Sequence, residues 1–373
     1  MKALYYGIEA QARKARDLYV GVNGKARMVV AGYIGVADKA RLFWAIQADP
    51  SVMLPLLAAS TFTFSARNNK YAVFLGTTTT ATAYDYSLTR TTAPAPTAVA
   101  DNKGSCVSFG QYAMFNVKAD AVVNVYNEAL TRSTLTMKAA NGHKSSRIRT
   151  ESHALFIGGS GSAIITAYNL MLTAVTVANH PYAASGISGS RMGSSAIVAG
   201  GYVSTNNYPP ALYRYDDMLT RTALPSISQG RSHASSGTIT TNDQDSHVIF
   251  AGGHVEMNST ATTDAYNSLL QRVTSENLSV SCTYIAPVSL GEKVLFAGGT
   301  LNRGTAQNVV AVYDNTLTRS SAPNLSQVRA YAGGVRIGKY AIIGGGGNGG
   351  EGGGTATKSM DVYDIELNHW TIQ

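Results

Sequence analysis

Histidine, cysteine and arginine are the residues of this 373-residue chain whose chemistry would be most specific, so their spacing is the first question. The seven histidines, His143, His153, His180, His233, His247, His254 and His369, never recur at i+2 to i+4, so no local pair of imidazoles forms half of a metal site. Cys106 and Cys282 lie far apart and make no CxxC, and nothing places either beside a Tyr and histidines as copper-radical chemistry needs. HExxH, G-x-S-x-G with a following Asp and His, the Walker sequence and the Rossmann fingerprint are all missing. The run "GGGGNGGEGGG" at 344–354 lacks the Gly-Lys-Ser/Thr that reaches phosphate and reads as a flexible loop. The expectation is a protein that is not an enzyme and has no metal or other cofactor.

What remains is recognition chemistry. Long, variable segments hold Tyr202, Asn206, Asn207, Tyr208, His254, Glu256, Asn302 and Arg303, a mixture of aromatic faces, amides and charges suited to a carbohydrate or protein surface. Arg90, Arg132, Arg221, Arg272 and Arg319 recur at one point of a repeat, which favours a structural role, because repeat geometry dictates a residue whether or not it binds anything.

The elements that must position these residues come from that repeat. Tyr-[Asp/Asn]-x-x-Leu-Thr-Arg stands as "YDYSLTR" from Tyr84, "YNEALTR" from Tyr126, "YDDMLTR" from Tyr215 and "YDNTLTR" from Tyr313, with weaker copies from Tyr168, Tyr266 and Tyr363. The steps of 42 to 51 residues are those of propeller blades. Before each copy runs a short apolar segment, ending in paired glycines in "LFIGG" at 155–159, "AIVAGG" at 196–201, "VIFAGG" at 248–253, "VLFAGG" at 294–299 and "AIIGGG" at 341–346. It decays to "AVFLG" at 72–76 and "AMFNV" at 113–117. Apolar runs of this length read as strands buried on both faces. Four strands per repeat are predicted: an inner strand, one ending in Gly-Gly, one ending in Tyr-Asp, and an outer strand beginning near Leu-Thr-Arg. The segments between the second and third strands and those between blades then share one face, which is where the variable loops fall.

A second period occupies the N-terminus. Tyr5, Tyr19 and Tyr33, Gly7, Gly21 and Gly35, and Arg13, Arg27 and Arg41 repeat every 14 residues, and the middle copy, "YVGVNGKAR" at 19–27, reads as a hairpin turning at Asn23-Gly24. Tyr19, Val22, Lys25, Arg27 and Met28 are its candidate attachment residues. Residues 1–46 carry eight cations against three anions, most of the chain's net +8. The cations recur singly or in pairs per hairpin without an aromatic RNA signature, so a subunit-facing sheet is expected and nucleic acid is not. No apolar run follows Lys2, so no signal peptide is expected, and no stretch of about 18 apolar residues suggests a membrane span. The division predicted is 1–46 as hairpin repeat, 47–59 as a linker packed on the rest through Met53, Leu54, Leu56 and Leu57, and 60–373 as the propeller.

Glycine doublet, Tyr-Asp, turn and Trp resemble the kelch repeat, most fully in Gly344-Gly345, Tyr363-Asp364 and Trp370. The other copies place Thr91, Ser133, Val175, Thr222, Val273 and Ser320 at the Trp position. With the "YVGVNGKAR" tandem, the chain resembles kelch-type structural proteins of tailed bacteriophages and prophages. That resemblance implies an all-β fold, a seven-bladed kelch-like propeller preceded by small β-hairpins. It further implies a virion component, assembled in the bacterial cytoplasm and then extracellular, that meets other virion proteins through residues 1–46 and a host-surface glycan or protein through the propeller. Homo-oligomerisation stays open. A capsid decoration or fibre protein without a receptor, and a carbohydrate-active enzyme using the propeller channel, are the alternatives.

Overall fold

The computed structural model describes residues 49–373 except 102–103, 119, 139–145, 160, 243, 303 and 351–353, with the backbone alone at 146–147. Of residues 1–48 it describes the backbone of six strands. Seven four-stranded antiparallel sheets follow one another along the chain. Blade 1 is Phe64–Arg67, Ala72–Leu75, Ala81–Tyr84 and Arg90–Ala93, and blade 7 is Gly333–Ile337, Tyr340–Gly344, Met360–Tyr363 and His369–Ile372. Within each blade the strands pair in chain order, from the innermost to the outermost. The innermost strand of each blade packs on that of the next, and Gly333–Ile337 packs on Phe64–Arg67, so the ring closes as a seven-bladed propeller.

The repeated motif explains why such sheets stack. All seven motif tyrosines, Tyr84 to Tyr363, are buried, each in an apolar cluster at a blade interface, as Tyr126 is with Ala66, Val73 and Leu75 of blade 1. Their rings carry a hydroxyl that must be satisfied when buried. Six donate it to a backbone carbonyl outside their own blade, as Tyr126 does to Pro94 and Tyr363 to Pro323, both at 2.8 Å. Tyr215 instead meets Nδ1 of His180 at 3.0 Å. The recurrent arginines are ties of the same kind: Arg90, Arg221 and Arg319 donate to the carbonyls of Pro55, Asn179 and Asn277, and Arg132 to Asn124 Oδ1. The paired glycines are both left-handed, with φ of 66° and 116° at Gly200 and Gly201. A Cβ on Gly200 would meet the Arg231 carbonyl at 2.3 Å.

Both chain ends of the ring stay in their own blades, since His369–Ile372 completes blade 7 and, among the described residues, no earlier strand joins it. Closure is reinforced by the segment before blade 1. Met53 and Leu56 are buried between blades 7 and 1 with Ile342, Met360 and Ile372. Leu56 N donates to Lys358 O, Ser60 bridges Thr357, and Gly346 N donates to Thr63 Oγ1.

Toward the N-terminus, Leu4–Ile8 pairs with Gln11–Ala15, Tyr19–Val22 with Lys25–Met28, and Ala31–Val36 with Lys39–Ala45. The middle register sets Val22 opposite Lys25, Val20 opposite Arg27 and Tyr19 opposite Met28. Asn23 and Gly24, and the side chains of Tyr19, Val22, Lys25, Arg27 and Met28, lie outside the described residues.

Candidate functional site

The innermost strands enclose a central cavity of about 470 Å³. One mouth opens on the face that carries the loops between second and third strands. It is built two residues ahead of each inner strand, where Gly186, His233, Tyr284 and Tyr331 stand in blades 4 to 7 and Phe62 in blade 1. Gly186 has φ 65°, and His233, Tyr284 and Tyr331 have φ 55°, 56° and 56°. For bulky L-residues this backbone costs on the order of 1–3 kcal/mol each, and such strain concentrates at functional sites. Backbone bonds run from blade to blade beneath it, His233 N to Gly186 O at 2.8 Å and Thr63 N to Tyr331 O at 2.9 Å.

The strained backbone sets the rings against one another. Phe62 meets Tyr331 edge-on at 4.9 Å, Tyr331 stacks on Tyr284 at 4.3 Å, Tyr284 lies 5.2 Å from His233, and His233 stacks on His254 at 4.8 Å. The hydroxyl of Ser232, itself fully buried, lies 3.1 Å from both His233 Nδ1 and His254 Nε2. An arc of aromatic faces beside hydroxyls and backbone amides grips ligands that have an apolar face and a polar edge.

A second ring lies deeper. Arg67, Arg149, Arg191 and Arg336, with Ser108, Thr238 and Ser289 in the other blades, all line the cavity. They share one register: each pairs with an Ala or Val that pairs in turn with the motif tyrosine, as in Arg336, Ala341 and Tyr363. Burial, then the like charges of Arg191 and Arg67, pull the Arg149 guanidinium down to about 10. Asp245 reaches Arg191 at 3.3 Å from the inner hairpin of blade 5, whose strands Ser235–Thr241 and Gln244–Ala251 are the longest in the ring. Glu151 reaches Arg191 at 3.4 Å.

The residues expected from sequence fall on the loop face but do not form one cluster. Tyr202 and Tyr208 face each other at 5.5 Å in blade 4. Asn206 and Asn207 are exposed at a tight turn, Asn207 N bonding Ser204 O. Glu256 is exposed at the tip of the small hairpin His254–Val255/Asn258–Ser259 of blade 5, at φ 54°. Asn302 joins that hairpin to blade 6, accepting from Ser259 N at 3.0 Å. His254 is buried, in the second layer of the mouth. Arg303 lies outside the described residues. Sequence reasoning missed Phe62, His233, Tyr284 and Tyr331, although "RSHA", "CTYI" and "RAYA" stand in phase with the motif tyrosines. Among the described residues, no group of three or more His, Cys, Asp or Glu is placed to hold a metal ion, and no helix is long and apolar enough to cross a membrane.

No protein-family model matches the chain, and neither does any curated protein. Among solved structures, that of YjhT aligns with a TM-score of 0.55 at 12% identity, covering 87% of this chain and 100% of YjhT. At that identity the likeness shows the fold alone.

Proposed function

We propose that this chain is a virion protein of a tailed bacteriophage or prophage whose kelch-like propeller binds a host-surface glycan at the channel mouth. The observation that supports it best is the aromatic arc from Phe62 through Tyr331, Tyr284 and His233 to His254, held in place by three strained backbones. Stability spent on such backbones is regained only if the ring positions matter. The exposed Tyr202, Asn206 and Glu256, with Asn302, extend the same face outward. The 14-residue repeat supplies attachment to the particle.

Labelled protein should bind host cells saturably, and Tyr284→Ala with Tyr331→Ala should weaken that binding about tenfold or more, as loss of aromatic anchors does. Deleting residues 1–46 should leave a folded propeller that no longer enters particles. Unchanged cell binding by the double variant would overturn the mouth as the site, and normal incorporation of the truncated chain would overturn the attachment role.

One observation favours a second reading, a carbohydrate-active enzyme: Ser232 Oγ links two imidazoles in a chain able to pass a proton. Release of new reducing ends from host polysaccharide would support it, and binding without product would support the first.

A further inference from the structure

We infer that the mouth recognises the free end of a glycan, the outermost sugar units of a main chain or of a branch, and not a stretch within the polymer. This end-on binding rests on the glycan reading of the mouth and names the part of the polymer that enters. Closure of the ring carries it. The innermost strands pack on one another in sequence from blade 1 to blade 7, and Gly333–Ile337 packs again on Phe64–Arg67. The junction between the first and last blades, where a ring could open sideways, is filled by Met53 and Leu56. A polymer enters such a continuous wall by an end, whereas an interior segment would have to double back on itself to do so.

The aperture is also fixed in place. The residues immediately before Gly186, His233, Tyr284 and Tyr331 are each clamped by a two-way backbone bridge: Ser185 with Tyr202, Ser232 with His254, Thr283 with Thr300, and Ala330 with Gly347, all at 2.8 to 3.1 Å. Strained backbone persists only where its surroundings over-determine it, and these bridges supply that constraint. A mouth set before the ligand arrives spares the ordering cost of binding, but it does not part to admit the middle of a chain.

The rings themselves are turned toward the channel. Phe62, His233, Tyr284 and Tyr331 line the cavity and are half-buried, so they ring a hole and do not form an open platform along which a chain could lie. The enclosed volume is about 470 Å³. Ligand pockets span roughly 300–1,000 Å³, so a cavity in the lower half of that range holds on the order of one or two sugar units.

The test is a length series. Polysaccharide from the surface of cells that bind the protein is partly hydrolysed, its fragments are sorted by length, and each fraction is titrated calorimetrically into the full-length protein. Affinity per free end is expected to level off at about two units, the number that the cavity holds. Tyr284→Ala with Tyr331→Ala should weaken uptake of the shortest binding fragment about tenfold or more, as loss of aromatic anchors does. Phe62→Ala, which should weaken it several-fold, serves if the double variant does not fold. Affinity that keeps rising with length beyond the plateau expected here would show recognition of the chain interior. So would fragments that fail to bind while the intact polymer binds wild type and not the variants. Either result would overturn end-on binding and leave the mouth as the site. Fragment binding unchanged in the variants would overturn both, as would binding of neither fragments nor polymer.

Discussion

Asn127 holds Leu130 in a left-handed turn: Leu130 N donates to Asn127 O at 2.9 Å, and Asn127 Oδ1 accepts the amides of Ala129 and Thr131, with Leu130 at φ 55°. The same leucine recurs in every blade, from Leu88 to Leu367, with φ between 55° and 67°. Left-handed backbone costs an L-residue about 1–2 kcal/mol, so glycine would be the easy choice. Leucine is used because its side chain is buried, with Leu130 packed beside Tyr126 and Phe115.

Leu130→Gly is therefore expected to destabilise by about 1–3 kcal/mol, since losing a buried leucine side chain costs about 2–5 kcal/mol and relief of strain returns only part. Denaturant unfolding measures it. A stabilised variant would mean that the turn, and not the packing, selects this residue.

Arg231 and Asp264 form a buried pair at 2.8 Å, and Arg231 also donates to the carbonyls of Gly252, Gln229 and Phe250. Asp264→Asn leaves a buried cation without its counter-charge and should cost about 3–5 kcal/mol. Arg231→Met with Asp264→Leu should cost clearly less than the sum of the two single changes. Additive losses would show that the carbonyl bonds, and not the ion pair, hold the arginine.

His180 occupies a position that is leucine or isoleucine in later blades: its amide bonds Ala163 O as those of Ile227, Leu278 and Leu325 bond Pro210, Ala261 and Asn308. Burial, followed by the charge of Arg221, pushes the imidazole down to about 4. The folded state thus binds the proton less readily than the unfolded chain, whose histidine titrates near 6.5. Stability is full above about pH 6.5, falls as pH drops toward 4, and the loss approaches on the order of 2–3 kcal/mol. His180→Leu should flatten that slope in unfolding midpoints recorded from pH 7.5 to 4.5. Because it takes the imidazole away from the buried Tyr215 hydroxyl, Tyr215→Phe should be made alongside it to recover stability at neutral pH. A slope unchanged by His180→Leu would place the acid sensitivity elsewhere.

These relationships divide by how the sequence encodes them. Tyr126, Asn127, Leu130 and Arg132 serve stacking and turn geometry, which every blade shares, so they recur in phase and the seven-bladed ring was legible from them. Arg149, Arg191 and Arg336 face a channel, where repeat geometry demands nothing, and their alternation with Ser108, Thr238 and Ser289 hid the register until the pairing with Ala or Val and then tyrosine was visible. His233, Tyr284 and Tyr331 recur in phase, but their meaning lies in a positive φ that residue identity does not announce, since those angles are expected of glycine. Variable loops drew attention to Tyr202 and Asn302 and away from the mouth. His254 reads as a loop residue in the sequence and is instead a buried support of His233.

Gly186 gives the sharpest test of that mouth, because it fills in blade 4 the position of His233, Tyr284 and Tyr331. A Cβ there would lie 2.5 Å from His233 Cε1 and 2.7 Å from both ring nitrogens. Gly186→Ala must push the imidazole away from the His254 ring on which it stacks, disturbing the blade 5 end of the arc. The substitution also adds left-handed strain at φ 65°, so a control must share the strain without the clash. Gly161 provides it, with φ 70° and nothing within 4 Å of an added Cβ. Both alanine variants should lose about 1–2 kcal/mol of stability, the cost of an L-residue in that backbone. Only Gly186→Ala should also weaken host-cell binding, by about tenfold, as misplacement of an aromatic anchor does. Equal binding by the two variants would separate the strained arc from recognition and leave the outer loops of blades 4 to 6 as the contact surface.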